Sequence, residues 1–284
     1  MTLSVASWNV NSVRKRLDGL KALADEHAPD VICLQETKVT DDLFPAVDIA
    51  AMGYPHQAIH GIKGYNGVAI LSKLPLEHIE TAAWCGKADG RHIYCRLTPA
   101  AGTSAGKAAG GPPPLEIHSL YVPAGGDVAD PLKNPKFAHK LDFITELTHW
   151  WAARGPADGR KGTPARILAG DFNVAPLPTD VWSHERLKNI VTHTEIEITH
   201  LDALQRAGGW VDAVRRLIPE DDPVFTWWSY RARDWAEADK GRRLDHIWVS
   251  QDLEAALERV DILRHARDWD PPSDHVPVIL TLSA

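Results

Sequence analysis

The 284-residue chain is 44% apolar and carries a formal net charge of -7. That length supports one sizeable core, so a single domain spanning residues 1–284 is expected, and the acidic balance excludes a protein that coats nucleic acid by bulk electrostatics while leaving room for a local basic groove. No run is apolar for long enough to cross a bilayer, and the opening MTLSVASWNV lacks both a basic segment and an apolar stretch of signal length; a cytoplasmic protein without a membrane partner is expected. Cys33, Cys85 and Cys95 form neither an even framework nor a Cys-x-x-Cys pair, which points to buried free thiols.

In chain order, Leu3 to Trp8 reads as a strand. Val13, Leu17, Leu20 and Ala24 then recur at helical spacing until Pro29 blocks continuation. Val31 to Leu34 forms a second strand. Short apolar or alternating runs predict further sheet strands at Val68 to Leu71, His92 to Leu97, Leu115 to Tyr121, Arg166 to Ala169, Leu244 to Val249 and Val276 to Leu282. Asn134 as N-cap, Pro135 in the first turn, and Phe137, Leu141, Ile144, Thr148 and Trp151 along one face predict a core-facing helix that stops near Gly155. The Gly-, Ala- and Pro-rich stretch PAAGTSAGKAAGGPPP cannot bury enough apolar surface to order itself, so a mobile loop insertion is expected at 100–114. Gly155 to Pro164 has similar character. Polar motifs fall on both sides of each stretch, so neither reads as an interdomain linker.

The chemistry gathers at strand ends. Asn9 and Asn11 follow the first strand, Glu36 follows the second, and Asp171 with Asn173 follows the Arg166 to Ala169 strand. Asp245 and His246 lie instead near the start of a strand, and Asp274 and His275 immediately precede one. If these groups share a site, the strands cannot all run parallel, so a mixed sheet is expected rather than a doubly wound one. Carboxylates, amide oxygens and one imidazole without a cysteine set suit Mg2+, or Mn2+ in its place, better than structural zinc. Magnesium leaves coordination positions for water and substrate phosphate, which points to phosphoryl chemistry. Each piece alone has a bland reading as a turn residue, cap or solvated carboxylate; their joint occurrence across the chain carries the argument.

The segments SWNVNSVRKRL, DVICLQETK, SLYVPAGG, LAGDFNVAP, RRLDHIWVS and PSDHVPV resemble, in order, the signature segments of the exonuclease III and abasic-site endonuclease family, within the endonuclease, exonuclease and phosphatase superfamily. NPKFAHKL and FTWWSYR are similar to its DNA-repair branch. The resemblance implies an α/β fold, a four-layered α/β sandwich of two packed mixed β-sheets flanked by helices. It implies a metal-dependent hydrolase that acts on double-stranded DNA as a 3′ to 5′ exodeoxyribonuclease and abasic-site endonuclease and cleans 3′ ends; a monomer is expected. By the same resemblance Glu36 is the principal metal carboxylate, with Asn9 and Asp274 near the same ion. Asp171 orients or deprotonates the attacking water with Asn173 beside it, and Tyr121 contacts the scissile phosphate. His275, held by Asp245, binds that phosphate. Asp171, Asn173 and His275 also count among the candidate metal-site residues, and one or two ions are compatible with the set. Asn11 stands where some relatives have Asp, which removes one carboxylate from the metal shell.

Substrate grip needs basic and aromatic side chains. Asn11, Arg91, Lys136, Trp227, Trp228, Arg231 and Arg243 are the candidate DNA contacts, with Trp227 the better choice of the two tryptophans for a sugar pocket. Phe225 and one tryptophan of the pair are expected in the core. Two competing readings are a superfamily hydrolase acting on a lipid head group, for which no basic or amphipathic membrane segment is visible, and a nucleic-acid-binding protein whose catalytic centre has decayed.

Overall fold

The computed structural model describes residues 2–97, 114–156 and 163–283. All but the last residue of the expected loop at 100–114 lies outside them, as does most of the Gly155 to Pro164 connection. The strands in chain order are β1 (Thr2–Asn9), β2 (Val31–Gln35), β3 (His56–His60), β4 (Val68–Ser72), β5 (Leu76–Thr81), β6 (His92–Leu97), β7 (Leu115–Tyr121), β8 (Ala165–Asp171), β9 (Trp210–Asp212), β10 (Trp227–Trp228), β11 (Gly241–Arg242), β12 (Asp245–Ser250), β13 (Leu257–Ile262) and β14 (Val278–Ser283). They form two six-stranded sheets, ordered β13-β14-β1-β2-β4-β3 and β5-β6-β7-β8-β12-β9, and a small β10-β11 ribbon.

Both large sheets are mixed. The β1–β2 and β7–β8 pairs are parallel, while β14 runs antiparallel to β1 and β12 antiparallel to β8. Strand alternation then builds the layers. Val5, Val31, Cys33 and Ile70 of the first sheet face Ile117, Ile167, Ala169 and Ile247 of the second, forming the inter-sheet core. The alternate residues Ala6, Ile32, Leu34 and Leu71 point outward and pack on Leu20 and Leu23 of the helix Leu17–Glu26. On the far side, Leu120, Leu168 and Trp248 pack against Phe143, Ile144, Leu147 and Trp151 of the helix Pro135–Arg154 and against Leu201 and Leu204 of the helix Glu195–Gly208. Helices, sheet, sheet and helices make the four layers.

The long helix starts as its sequence dictates: the Asn134 side chain accepts from the Lys136 backbone N–H, Pro135 follows, and Gly155 closes the other end at φ +69°. Leu147 is buried where Thr148 was expected; Thr148 sits half-buried and donates its hydroxyl to the Ile144 carbonyl. Cys33 and Cys95 are buried free thiols, whereas Cys85 is only half-buried.

Candidate active site

Four strand ends and two strand starts meet at one edge of the sandwich. Asn9 is the last residue of β1, Glu36 follows β2, and Tyr121 and Asp171 end β7 and β8 in register with each other. Antiparallel β12 begins at Asp245, paired with Asp171, and Asp274 and His275 precede β14 beside β1. At Gly170 a Cβ would lie 1.9 Å from the Leu120 carbonyl oxygen. Only glycine lets β7 and β8 pass that closely, and this closeness seats Asp171 beside Tyr121. Asn11, Glu36 and Asn173 all hold left-handed φ values, 45°, 53° and 53°. Such strain persists where surrounding bonds fix it: the Asn11 N–H donates to Asn9 Oδ1 at 3.1 Å and the Asn173 N–H to Asp171 Oδ1 at 2.9 Å.

The side chains form one network. Asn9 Nδ2 donates to Glu36 Oε1 at 3.0 Å and to Asp171 Oδ2 at 2.9 Å. Tyr121 donates its hydroxyl to Glu36 Oε1 at 2.8 Å, and Lys38 Nζ lies 2.6 Å from Glu36 Oε2 and 2.6 Å from Asn11 Oδ1. Asn11 Nδ2 and Trp227 Nε1 donate to the two oxygens of Asp274 at 3.0 Å each. His275 Nδ1 pairs with Asp245 Oδ2 at 2.8 Å, and its Nε2 lies 3.7 Å from Asp171 Oδ2. Asp245 is anchored from behind by the Thr226 hydroxyl at 2.6 Å. Asn173 Nδ2 donates to Asp171 Oδ2 at 3.1 Å and to the Val122 carbonyl at 3.0 Å.

Burial and charge tune these groups. Asp171 is pushed up by burial, with Asp245 and Glu36 adding to the rise against the pull of His275 and Asn9. Burial works against charge on His275, yet Asp245 and Asp171 beside it push the imidazole up to about 10. Glu36 is held low despite burial by donors from Asn9, Lys38 and Tyr121. Burial, together with the charges of Glu36 and Asp171, drives the Tyr121 phenol well up, so it remains an O–H donor.

A cavity of about 580 Å³ opens on this network, lined by Glu36, Tyr121, Asp171, Asn173, Asp274 and His275, by Trp227 next to them, and by Asp127, Trp182, Arg231, Lys240 and Arg242. Of the expected DNA contacts, Trp227 and Arg231 line it, and Lys136 lies against Gly126 on its wall. Arg91 sits behind Tyr121, with its guanidinium 4.8 Å from the ring centre. Asn11 bridges Lys38 and Asp274. Two expectations are corrected. Trp228 is in the core because adjacent residues of a strand face opposite ways. Arg243 is fully buried and ion-paired with Asp180 and Asp212 at 2.7 Å each, and neither residue lines the cavity at the site. Lys38, Thr226, Trp182 and Arg242 were not among the expected site residues. Lys38 had a signal, two residues past Glu36 in the same turn; the others had none that marks a cavity wall.

Among the described residues, Asp171, Asp245 and His275 offer metal-ligand atoms within 4.8 Å of one another. A second such group, Glu26, His27 and His265, is exposed at the end of the helix Leu17–Glu26 and shares no residue with the cavity.

A family model for the endonuclease/exonuclease/phosphatase family matches residues 6–275, so fold, site and match together place the chain in that superfamily. The chain is 30% identical over 283 residues to exodeoxyribonuclease III of Haemophilus influenzae, covering 96% of this chain and 97% of that protein. An AP endonuclease structure from Archaeoglobus fulgidus matches with a TM-score of 0.85 and 30% identity, covering 99% of this chain and 100% of that one. A 3′-5′ exonuclease from Neisseria meningitidis matches with a TM-score of 0.83 and 28% identity, covering 99% and 100%. Within the superfamily, the chain belongs to the exodeoxyribonuclease III and AP endonuclease family.

Proposed function

We propose that the protein is a DNA-repair phosphodiesterase that cuts double-stranded DNA at abasic sites, trims it from 3′ ends and clears blocked 3′ termini, acting as a monomer with Mg2+, or Mn2+ in its place. The observation that carries this reading is the placement of His275 Nε2 3.7 Å from Asp171 Oδ2 while Asp245 holds its other nitrogen, at the acidic end of one cavity. A base and a cationic donor side by side are what phosphodiester hydrolysis needs. The names of the relatives, exodeoxyribonuclease III, AP endonuclease and 3′-5′ exonuclease, support DNA as the substrate.

The donor set suits a hard cation: carboxylates of Glu36, Asp171 and Asp274, an Asn9 amide and no thiolate. Within this set the Glu36 carboxylate already attracts a cation, the Lys38 ammonium 2.6 Å from its Oε2. Glu36, Asn9 and Asp274 would hold the ion, which when bound supplies charge against the phosphoryl and leaving oxygens. Asp171 takes a proton from the attacking water; its raised pKa makes it a stronger base than an exposed carboxylate, and Asn9 and Asn173 fix its direction. His275 would act as a protonated donor to a phosphate oxygen: Asp245 on its Nδ1 and Asp171 beside its Nε2 favour the charged ring. Tyr121 adds a second donor at the same edge.

Asp171→Asn and His275→Ala should each slow incision of a duplex carrying an abasic analogue by at least about 100-fold, with unfolding transitions retained. Undiminished turnover of either folded variant rejects the assignment.

A further inference from the structure

The cavity has a second charged end that the hydrolytic reading leaves unused. Trp227 pairs in register with Arg242 on one side and bridges to His275 on the other. Residues paired across strands present their side chains on the same face, so His275, Trp227 and Arg242 form a row. Its outer members are two strand spacings apart, roughly 10 Å. The Arg242 guanidinium lies over the Trp227 ring, 5.3 Å from its centre. One of its nitrogens, Nη1, donates to the Val191 carbonyl at 3.0 Å and to Thr192 Oγ1 at 2.7 Å, which fixes the plane of the group. Lys240 sits 5.2 Å from the centre of the Trp182 ring, and Arg231 completes the wall. Among the described residues none of these three cations is ion-paired with a carboxylate, whereas Arg243 next door is fully neutralised by Asp180 and Asp212.

A plain sugar or base pocket needs no such group. A guanidinium partly withdrawn from water, held over one face of the aromatic floor and with no carboxylate in direct contact, the nearby Glu197 being paired with Lys140, is poised for an external anion. We propose that this basic end is a second phosphate subsite, selected by Arg242, which takes the phosphate one sugar removed from the one hydrolysed. The inference rests on the phosphodiesterase reading. A strand with its scissile phosphate at His275 and the intervening sugar on Trp227 brings its next phosphate to Arg242. That phosphate is either an internal diester or a chain-terminal monoester.

The test compares two substrate pairs at steady state. In the first, the neighbouring linkage of an abasic duplex is either a native phosphate or an uncharged methylphosphonate. In the second, the strand ends at that position with or without a terminal phosphate. The expected result is that the wild-type enzyme loses about tenfold or more in KM, with kcat nearly kept, when the charge is removed in one pair or both; the responding pair identifies the source. Arg242→Gln should abolish the difference and Arg242→Lys should restore part of it. Lys240→Gln, at an exposed site, should weaken it less. Equal wild-type KM values within both pairs, or an Arg242→Gln enzyme that discriminates as the wild type does, overturn the subsite while leaving the hydrolytic reading intact. A wild-type enzyme that cuts none of the duplexes defeats both.

Discussion

His275 is the residue whose chemistry the surroundings control most tightly. It is buried, and burial alone would strip its proton; Asp245 at 2.8 Å and Asp171 nearby reverse that preference and push it up to about 10. Asp171 is displaced upward too, by burial first. Activity then requires Asp171 without its proton and His275 with one, so kcat/KM rises as Asp171 ionises and falls as His275 deprotonates. Asp245→Asn removes the largest influence holding the proton on His275. The falling limb should therefore move to lower pH, by about 1 to 3 pH units, and the rising limb should move down as well, because Asp245 also adds to the rise of Asp171. A pH–rate profile whose alkaline limb stays in place contradicts this coupling.

At the scale of elements, the turn from Asp171 to Asn173 is fastened to two helices by one buried charge. Lys140, fully buried on the helix Pro135–Arg154, donates to the Asn173 carbonyl at 2.7 Å and pairs with Glu197. Glu197 in turn accepts the backbone N–H groups of Thr192, at 2.9 Å, and Thr194, at 3.2 Å, ahead of the helix Glu195–Gly208. Lys140→Met leaves that carboxylate buried without its cation, which should cost about 3–5 kcal/mol in chemical denaturation; a loss below about 1 kcal/mol contradicts the role. The core strands were legible from sequence because they alternate or run apolar between turn residues. The edge strands β3 and β5 were not: HQAIH buries only Ala58, and LEHIET is almost wholly exposed, so no apolar period marks them. The candidate carboxylates were legible because they sit at the ends of strands or just outside them. Arg243 was not, since nothing in RRLDH shows which arginine turns inward; the answer depends on Asp180 and Asp212, far away in the chain.

For the whole molecule, the acidic total and the DNA-directed function are reconciled by segregation of charge. The chain carries -7 overall, and one end of the cavity is itself carboxylate-rich, while Arg231, Lys240 and Arg242 line the other. Affinity for duplex DNA should accordingly fall with salt, with a log–log slope of about -0.9 for each phosphate neutralised; a flat slope contradicts a phosphate-tracking groove.

Residues from Asn9 to His275, brought together by antiparallel neighbours of parallel strands, are proposed to form one hydrolytic centre built around a hard divalent cation. The most direct measurement is the single-turnover incision rate of an abasic-analogue duplex as Mg2+ is titrated into chelator-treated enzyme, for the wild type and for Glu36→Gln. Expected are no incision in chelator, recovery with Mg2+ or Mn2+ in the wild type, and a Glu36→Gln curve displaced to higher metal concentration with a lower plateau. Incision that proceeds unchanged in chelator, or superimposable titration curves for the two proteins, would contradict such a centre.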